Sequence, residues 1–322
     1  MTSSGYIPNL GKAIAQAIFG EDTLRIVDSS GVLLQEGKLE PLRVETATRF
    51  SQLNADEFDI VIHFPTMTMD RMINQGVAFS FPIGNASTRS LCRTSDLSGI
   101  ADASLNSNLD TVKYLESELG HVRFGTSNNC TAKVWGETFK QEYPDISLSI
   151  VDTNMNGFKS GESDMYTSDD WYVASNTGTD TSYSLIAAAP SGSVLDFNDF
   201  LGVGLKRDQK NNKLMSVVNT VLSIQLRAME LDISSGNVGS VTEPASTSAV
   251  NNLLFGKNLG FSFNTYLAGG MVADAGKRIL QYGNAEERVA LLDIAAGVPG
   301  TVKKLVPSYG MVGFVPNSKK EN

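Results

Sequence analysis

The chain contains few of the side chains from which metal and redox sites are usually built. Its 322 residues include two histidines and two cysteines. The cysteines, Cys92 and Cys130, make no disulfide framework, and no spacing of the four residues is typical of a zinc site. We therefore predict no metal site and no cofactor.

Clustered positive charge is also lacking. Lysine and arginine number 26 against 35 aspartates and glutamates, which gives a formal net charge of −9. The basic pairs along the chain are Lys206-Arg207, Lys277-Arg278, Lys303-Lys304 and Lys319-Lys320. Nucleic-acid binding requires grouped cations to neutralise phosphates, so this distribution argues against nucleic acid as a partner.

Long hydrophobic runs are absent from the sequence as well. No stretch of about 18 consecutive apolar residues occurs, so we predict no membrane insertion. Residues 1–20 lack the basic start and the long apolar centre of a secretory signal peptide. Taken by itself, the sequence predicts a soluble chain that is either cytosolic or already processed.

The chain does contain an ordinary globular share of apolar residues, 41%, in alternating helix and strand patterns. Apolar residues at helical spacing over 10–18 predict a helix that ends at Gly20. Residues 23–37 predict a hairpin around Ser29-Ser30-Gly31.

The next segments are another helix and a strand. A helix over 44–55 is predicted to direct Phe50 and Leu53 inward. The apolar run 58–64 predicts a strand that is buried on both faces of a parallel sheet.

The middle of the chain repeats this alternation. Strand and helix patterns follow one another at 121–127, 131–144, 146–152 and 165–169. This order is typical of βαβ units and predicts parallel pairing with right-handed crossovers. A long helix is predicted over 211–231, with further helices near 247–255, 271–281 and 285–295.

These patterns together predict an α/β fold of two doubly wound lobes joined by a two-segment hinge. We expect the hinge segments near 87–95 and 185–200. Lobe 1 would then comprise residues 1–90 together with 190–322, and lobe 2 would comprise residues 91–189.

An acidic stretch, "SDMYTSDDWYVAS" at 163–175, is a candidate functional element. Its three aspartates are Asp164, Asp169 and Asp170. Three carboxylates so close together suit metal ligands, a catalytic acid pair, or one buried anion among solvated neighbours. The residues alone leave these alternatives open.

Arg71 is the candidate counter-charge, because it follows the apolar run 58–64. A zwitterionic ligand needs a fixed cation for its carboxylate and a fixed anion for its ammonium group. A guanidinium group can grip a carboxylate with two parallel hydrogen bonds. Taken alone, an arginine in such a loop is more often part of a surface ion pair.

Several segments resemble one known family. They are "GYIPNLGKAIAQAIFG", "RFSQLNADEFDIVIHFPTMTMDR", "GESDMYTSD", "RAMELDISSGNV" and "NNLLFGKNLGF", and they occur in the family's order. Through them the chain resembles the type II periplasmic amino-acid-binding proteins of ABC transporters, in the general L-amino-acid-binding branch. The resemblance covers most of residues 4–317.

The resemblance implies a set of ligand-binding residues. Arg71 falls on the arginine that holds the ligand carboxylate, and Asp169 on the aspartate that pairs with the ligand ammonium. The other implied positions are Phe64 and Thr66 for the ammonium, His63 for the side-chain pocket, and Asn128 and Asn129 for the carboxylate. The two asparagines replace a Thr-Thr pair of the family, which is a departure from its pattern.

Under this resemblance the other two acidic residues have lesser roles. Asp164 is interpreted as a turn-capping residue, and Asp170 as an exposed neighbour of Asp169.

The resemblance also implies a function. The chain would be a non-enzymatic receptor that closes on a free L-amino acid and delivers it to the permease subunits of an ABC transporter. The implied location is periplasmic, although the sequence contains no signal peptide. Two alternatives remain: a ligand-free scaffold of the same fold, and a cyclohexadienyl-dehydratase-like enzyme with Asp170 or Glu137 as general acid.

One family element is missing from the sequence, namely the short strand before the first helix. In a doubly wound sheet that strand lies inside the sheet, so its absence would leave two rows of backbone groups unpaired. We expect part of the hairpin, 24–28 or 32–39, to occupy or cover this position.

Overall fold

The computed structural model describes residues 6–20, 26–27, 33–35, 44–62, 65–99, 108–128, 130–177, 180–186, 198–209, 211–241, 275–284 and 287. In these parts of the chain the helices are α1 (Tyr6–Phe19), α2 (Arg49–Asn54), α3 (Met69–Ile73), α4 (Asn108–Leu119), α5 (Thr131–Glu142), α6 (Met155–Lys159), α7 (Asp170–Thr177), α8 (Asn212–Glu230) and α9 (Ala275–Leu280). The strands are β1 (Ile26–Val27), β2 (Leu33–Gln35), β3 (Val77–Phe79), β4 (Gly84–Arg93), β5 (Val122–Thr126), β6 (Leu148–Asp152), β7 (Met165–Asp169), β8 (Tyr183–Ile186), β9 (Asn198–Leu201) and β10 (Gly204–Lys206). No helix in these ranges has the length and apolar character needed to cross a bilayer.

Helices α1, α8 and α9 pack against one another around a first core. Leu10, Ile14 and Ala17 line the inner face of α1, as their spacing predicts. The helix ends at Gly20, whose φ of 71° lies in the left-handed region and whose N–H bonds the carbonyl of Gln16. The first core consists of Leu10, Ala13, Ile14, Ala17, Ile83, Leu201, Val203, Leu205, Val217, Val218, Val221, Leu222, Ile224, Ala228, Ile233, Val238, Ile279 and Leu280.

The prediction for residues 58–64 is partly wrong. Val61 is buried, and Ile60 and Ile62 pack against the first core, so both sides of the run face apolar groups as predicted. The described part of the run, however, makes a single antiparallel bridge, from Val61 to Gly204, and no parallel ladder. An apolar run indicates burial on both faces, but it does not specify which strand pairs with it or in which direction.

A larger sheet has the strand order β6-β5-β7-β4-β8. Strand β5 pairs in parallel with β6 and with β7, as the βαβ pattern predicts, whereas β4 is antiparallel to β7 and β8. Helices cover both faces of this sheet. On the side of α4 and α5 lies a second core of Cys92, Leu97, Val112, Leu115, Val122, Phe124, Trp135, Phe139, Ile146, Leu148, Met165 and Ile186, and on the other side lie Leu91, Met155, Phe158, Tyr166 and Val173.

Close helix–sheet contact explains a glycine in the middle of α5. A Cβ atom on Gly136 would lie 2.8 Å from Cε1 of Phe124, which is closer than real Cβ atoms approach other heavy atoms. Trp135 stacks on the same ring, with 5.4 Å between ring centroids. The glycine therefore lets α5 approach the strand that carries Phe124.

Strands β4 and β9 connect the two cores. Residues 84–87 of β4 pair with β9, which packs into the first core, and residues 88–92 pair with β7 of the larger sheet. The chain enters the larger sheet along β4, and β9 and β10 lie on the return path to the first core. The lobe boundaries given above, 1–90 with 190–322 and 91–189, stay a prediction.

The hairpin expected at 23–37 is present as the antiparallel pair β1–β2, in which Ile26 pairs with Gln35 and Val27 with Leu33. Within the described residues these two strands form a sheet of their own and join no other strand. The expectation that 24–28 or 32–39 occupies or covers a position in a larger sheet stays a prediction, because the structure describes only 26–27 and 33–35 of these segments. Hairpin pairing is specified locally by the turn, whereas docking into a sheet depends on surfaces elsewhere in the chain.

The interpretation of Asp164 as a turn-capping residue is wrong. Its carboxylate accepts hydrogen bonds from Nη2 of Arg123 at 2.6 Å, from Nε at 3.2 Å and from the backbone N–H of Arg123 at 2.7 Å. The side chain of Asp164 is 10% exposed. Because Asp164 directly precedes β7, which lies beside β5 in the sheet, the acidic residue meets an arginine that is distant in sequence.

The Arg123–Asp164 pair predicts a stability effect. Asp164→Asn should lower the free energy of unfolding by about 1–3 kcal/mol, because one of the two oxygens that Arg123 binds becomes an amide donor. Urea unfolding of the purified protein measures the change.

The matched control is Asp56→Asn, which makes the same substitution in the ion pair with Lys206. The side chain of Asp56 is 66% exposed, so its loss should cost less than about 1 kcal/mol. Equal losses in the two variants would contradict the role given to Asp164.

Candidate ligand-binding site

Arg71 is held at the edge of the first core by short-range contacts. Helix α3 begins after Thr68, whose hydroxyl oxygen accepts a hydrogen bond from the backbone N–H of Arg71 at 3.2 Å. The helix leaves Met69 and Ile73 exposed and turns Arg71 inward, so that Arg71 is 4% exposed. Nη1 of Arg71 donates to the carbonyl oxygen of Thr66 at 2.7 Å.

Thr66 ties this arginine to the strands between the two cores. Thr66 is buried and bridges Leu201 at the end of β9, and Leu201 also pairs with Gly84 at the start of β4. The guanidinium group of Arg71 is therefore anchored, through one carbonyl, at the position where β4 leaves the first core.

Asp169 is anchored to the same strand, β4, at the part of it that belongs to the larger sheet. It ends β7, and its backbone pairs with Thr88 of β4. Gly84 and Thr88 are four residues apart along an extended strand, a distance of about 13 Å. The distance between the anchor points of Arg71 and Asp169 is therefore short enough for the two side chains and a small ligand to bridge it.

A second buried arginine, Arg49, lies in the same neighbourhood and was not recognised from the sequence. It is the first residue of α2 and is 4% exposed. Its guanidinium carbon lies 4.9 Å from the ring centroid of Phe50, and that of Arg71 lies 5.2 Å from the same centroid. Both cations therefore converge on one aromatic ring, where cation–π attraction contributes about 0.5–2 kcal/mol each.

The electrostatics of Arg49 link residues from both cores. The pKa of Arg49 is lowered to about 10, first by burial and then by the like charge of Arg71, whereas Asp169 and Cys130 act in the opposite direction. Arg49 remains charged near neutral pH. Because it feels the charges of both Arg71 and Asp169, these three residues form one charged cluster, which we call the Arg49–Arg71–Asp169 cluster.

Cys130 borders this cluster, but its thiol is suited to a structural role. It precedes α5, and its sulfur lies 3.0 Å from the hydroxyl oxygen of Thr126. Burial raises the pKa of the Cys130 thiol. A thiol with a raised pKa is protonated near neutral pH and is a poor nucleophile.

A hydrogen-bonded pair of neutral polar groups lies beside the carboxyl end of β5. The hydroxyl of Ser127, after β5, lies 3.2 Å from the phenol oxygen of Tyr166 on β7. Burial raises the pKa of Tyr166, so this phenol is protonated near neutral pH. Ligands of open α/β sheets bind at this end of the strands, so Ser127 and Tyr166 join the candidate site as neutral hydrogen-bonding groups.

The side chain of Asn128 is occupied by neighbours in its own part of the fold. Its backbone N–H donates to Oδ1 of Asp152 at 2.9 Å, its side-chain amide donates to the other oxygen of Asp152, and its Oδ1 accepts from Nζ of Lys133 at 3.0 Å. A ligand carboxylate would have to compete with these bonds. The role of Asn128 in carboxylate binding stays a prediction.

Three further residues implied by the family resemblance, His63, Phe64 and Asn129, lie outside the described residues. Within the described residues no group of three or more histidine, cysteine, aspartate or glutamate side chains could hold a metal ion. A cavity of about 290 Å³ lies beside the start of α8, and none of the residues that line it belongs to the cluster. Its basic side chains are engaged, since Lys206 pairs with Asp56 and Arg207 donates to the carbonyl of Met72.

Comparison with known proteins identifies the fold. No protein-family model matches the chain, and no curated protein sequence matches it. A periplasmic binding protein of an ABC transporter from Brucella ovis, with glutathione bound, is similar with a TM-score of 0.68 and 20% sequence identity over 93% of this chain and 83% of that protein. The cysteine-binding protein from Campylobacter jejuni gives a TM-score of 0.50 and 17% identity over 71% and 76% of the two chains. This chain has the type II periplasmic-binding-protein fold.

The binding-protein fold confirms the fold class predicted from the sequence, an α/β arrangement of two doubly wound lobes with a two-segment hinge. At these identities the likeness establishes the fold, and the function must be argued from the site. Arg49 could have been found from its place in the sequence. It directly precedes Phe50 and lies four residues before Leu53, so it begins the inward face of a short amphipathic helix.

The contacts of Asn128 predict a structural rather than a ligand-binding effect. Asn128→Ala removes the side-chain bonds to Asp152 and Lys133 and should lower the free energy of unfolding by about 1 kcal/mol. Thermal and urea unfolding measure this loss.

The control is Asn156→Ala, at an exposed position where the backbone N–H makes the bond to Asn154. This change should leave stability within about 0.5 kcal/mol. If Asn128→Ala left stability unchanged but abolished ligand binding, the carboxylate-binding role implied by the family resemblance would be favoured instead.

Proposed function

We propose that the chain is a solute-binding receptor that closes on a free L-amino acid and delivers it to the permease subunits of an ABC transporter. The observation that supports this most is the joint placement of Arg71 and Asp169. A buried cation anchored beside the first core and an anion at the end of β7 lie at opposite ends of the same stretch of β4. This is the charge arrangement that a zwitterion requires.

Arg71 would bind the α-carboxylate. Its hydrogen bond to the Thr66 carbonyl fixes the plane of the guanidinium group before a ligand arrives. A pre-oriented fork loses less side-chain entropy on binding and can make two parallel charged hydrogen bonds. Thr66 thus acts through Arg71 as a positioning residue, besides offering its own hydroxyl.

Asp169 would bind the α-ammonium group. Because Asp169 belongs to the larger sheet and Arg71 is anchored through Thr66 beside the first core, one ligand would contact both lobes. Binding energy gained from both would favour the closed arrangement, which is how hinged binding proteins respond to ligand. Phe64, His63 and Asn129 complete the proposed contacts, as the family resemblance implies, whereas the side chain of Asn128 is engaged by Asp152 and Lys133.

The ligands of two structurally similar proteins are consistent with this proposal. The Brucella ovis protein holds glutathione, a molecule built from amino acids, and the Campylobacter jejuni protein binds cysteine. By analogy with these proteins we propose a periplasmic location and a non-catalytic role. A neutral thiol at Cys130 is consistent with binding rather than nucleophilic catalysis.

A panel of the twenty amino acids tests the proposal directly. We expect at least one L-amino acid to bind with measurable heat in titration calorimetry. A ligand present at 100 times its Kd should stabilise the protein by about 2.7 kcal/mol, visible as a rise in Tm. If no member of the panel gives heat or a thermal shift, the ligand-free scaffold becomes the preferred function.

Variants of the two charged residues test the assigned roles. Arg71→Lys keeps the charge but loses the fork, and Asp169→Asn keeps the shape but loses the charge. Each should weaken binding of the best amino acid by about 30- to 1000-fold, equivalent to about 2–4 kcal/mol. Calorimetry measures the affinity, and circular dichroism confirms that each variant is folded.

Arg227→Met is the matched control for this pair, because Arg227 is exposed on α8 and pairs with Glu230 one turn later. It should change affinity by less than twofold. If the Arg71 and Asp169 variants bound the amino acid as tightly as the unchanged protein does, the proposed site would be refuted.

A further inference from the structure

Asp152 binds the turn that follows β5 through its own carboxylate. It is the last residue of β6 and lies in register with Thr126, the last residue of β5. One carboxylate oxygen accepts a hydrogen bond from the backbone N–H of Asn128 at 2.9 Å, and the other accepts one from the side-chain amide of Asn128. Nζ of Lys133 donates to Oδ1 of Asn128 at 3.0 Å, which leaves the amide NH2 group directed towards Asp152. The chain itself therefore supplies an anion to the donors of Asn128.

These donors lie at the same edge of the sheet as Asp169. Gly125 of β5 is level with Tyr166 of the parallel strand β7. Three residues further along in each case, the chain reaches Asn128 after β5 and Asp169 at the end of β7. Electrostatics agree with this placement, since the pKa of the Cys130 thiol is raised first by burial and also by the charge of Asp169. The ammonium and carboxylate groups of an α-amino acid share one carbon, so a ligand held by Asp169 brings its carboxylate to this edge as well.

The position of Asp152 makes its carboxylate replaceable. Asp152 is exposed, whereas Asn128 is half-buried. An exposed carboxylate can turn into solvent at little cost, because water replaces the hydrogen bonds that it loses. A ligand carboxylate can take its place only by displacing it, and a group tethered to the chain is present at a high effective concentration.

We propose that Asp152 is an internal competitor of the ligand carboxylate and thereby sets the affinity of this protein for amino acids. The inference rests on the proposed function and adds an affinity-determining residue to it. With Asp152 turned away, Asn128 donates to the α-carboxylate from the larger sheet, while Arg71 holds it from beside the first core.

Removal of the competitor provides the test. Asp152→Ala is compared with the unchanged protein by calorimetry, using the amino acid of the twenty-member panel that binds most tightly. We expect the affinity to rise by about 3- to 10-fold, which corresponds to the net value of one hydrogen bond. A purely structural role predicts no such rise, because the loss of a structural contact weakens ligand binding or leaves it unchanged. Urea unfolding should show no gain in stability for the same variant.

Three further variants separate competition from a change in net charge. Asp145→Ala removes one negative charge at an exposed position before the opposite end of β6, and it should change the affinity by less than about twofold. Asp152→Glu retains a carboxylate and should gain less affinity than Asp152→Ala. Asp152→Asn removes the charge but keeps the shape, so it should also bind the ligand more tightly than the unchanged protein does, and it replaces Asp152→Ala if that variant does not fold.

The outcomes separate this inference from the proposed function. If an amino acid binds the unchanged protein and binds Asp152→Ala no more tightly, or if Asp145→Ala gains as much affinity, the competitor role is refuted while the receptor function stands. If no amino acid binds either protein, the receptor function and the competitor role both fail. Binding to Asp152→Ala alone would support the competitor role and refute the receptor function of the unchanged chain.

Discussion

The burial of two guanidinium groups opposite one carboxylate is the constraint around which this molecule is organised. A buried cation costs several kcal/mol unless hydrogen bonds and opposite charge compensate for it. Arg71 is compensated in part by the Thr66 carbonyl, and both arginines rest on the ring of Phe50. Asp169, which is carried by the larger sheet, acts on Arg49 as an opposite charge. The electrostatics of this arginine thus depend on a residue that is distant in sequence.

Strands β4 and β9 make that dependence possible. A single continuous strand, β4, pairs first with β9 beside the first core and then with β7 inside the larger sheet. Asp169 pairs with Thr88 of this run, and the anchor of Arg71, Thr66, bridges Leu201 of β9, which pairs with Gly84 of the run, so their spacing follows from strand geometry rather than from flexible loops. A change in the angle between the lobes would alter the distance between the charged groups while leaving each of their anchors intact.

The fold and the proposed function of this chain rest on different observations. The fold follows from the strand order, the two helix-covered faces and the similarity to solved binding proteins. The proposed function is argued instead from the charged groups of the Arg49–Arg71–Asp169 cluster, since proteins of one fold carry out many activities. Scaffold, receptor and enzyme would share the same two cores and differ in the groups that face the cleft. Those groups are a small minority of the chain and contribute little to the choice of fold.

The sequence by itself determined the elements whose information is local. Apolar spacing gave the inner face of α1 and the burial of Phe50 and Leu53, and the βαβ alternation gave the parallel pairing of β5 with its neighbours. These succeed because the period of a helix or strand is written in adjacent residues. The family resemblance added Arg71 and Asp169 as candidates, but it could not supply their geometry.

Tertiary structure alone decided which distant residues meet. Ile60, Val61 and Ile62 pack against apolar groups as expected, yet the antiparallel partner of Val61, Gly204, lies far along the chain. Asp164 was taken as a local cap and instead pairs with Arg123. Arg49 gained its importance only when α2 brought it beside Arg71 and within reach of Asp169. Pairing and charge compensation act through space, so no pattern of neighbouring residues specifies them.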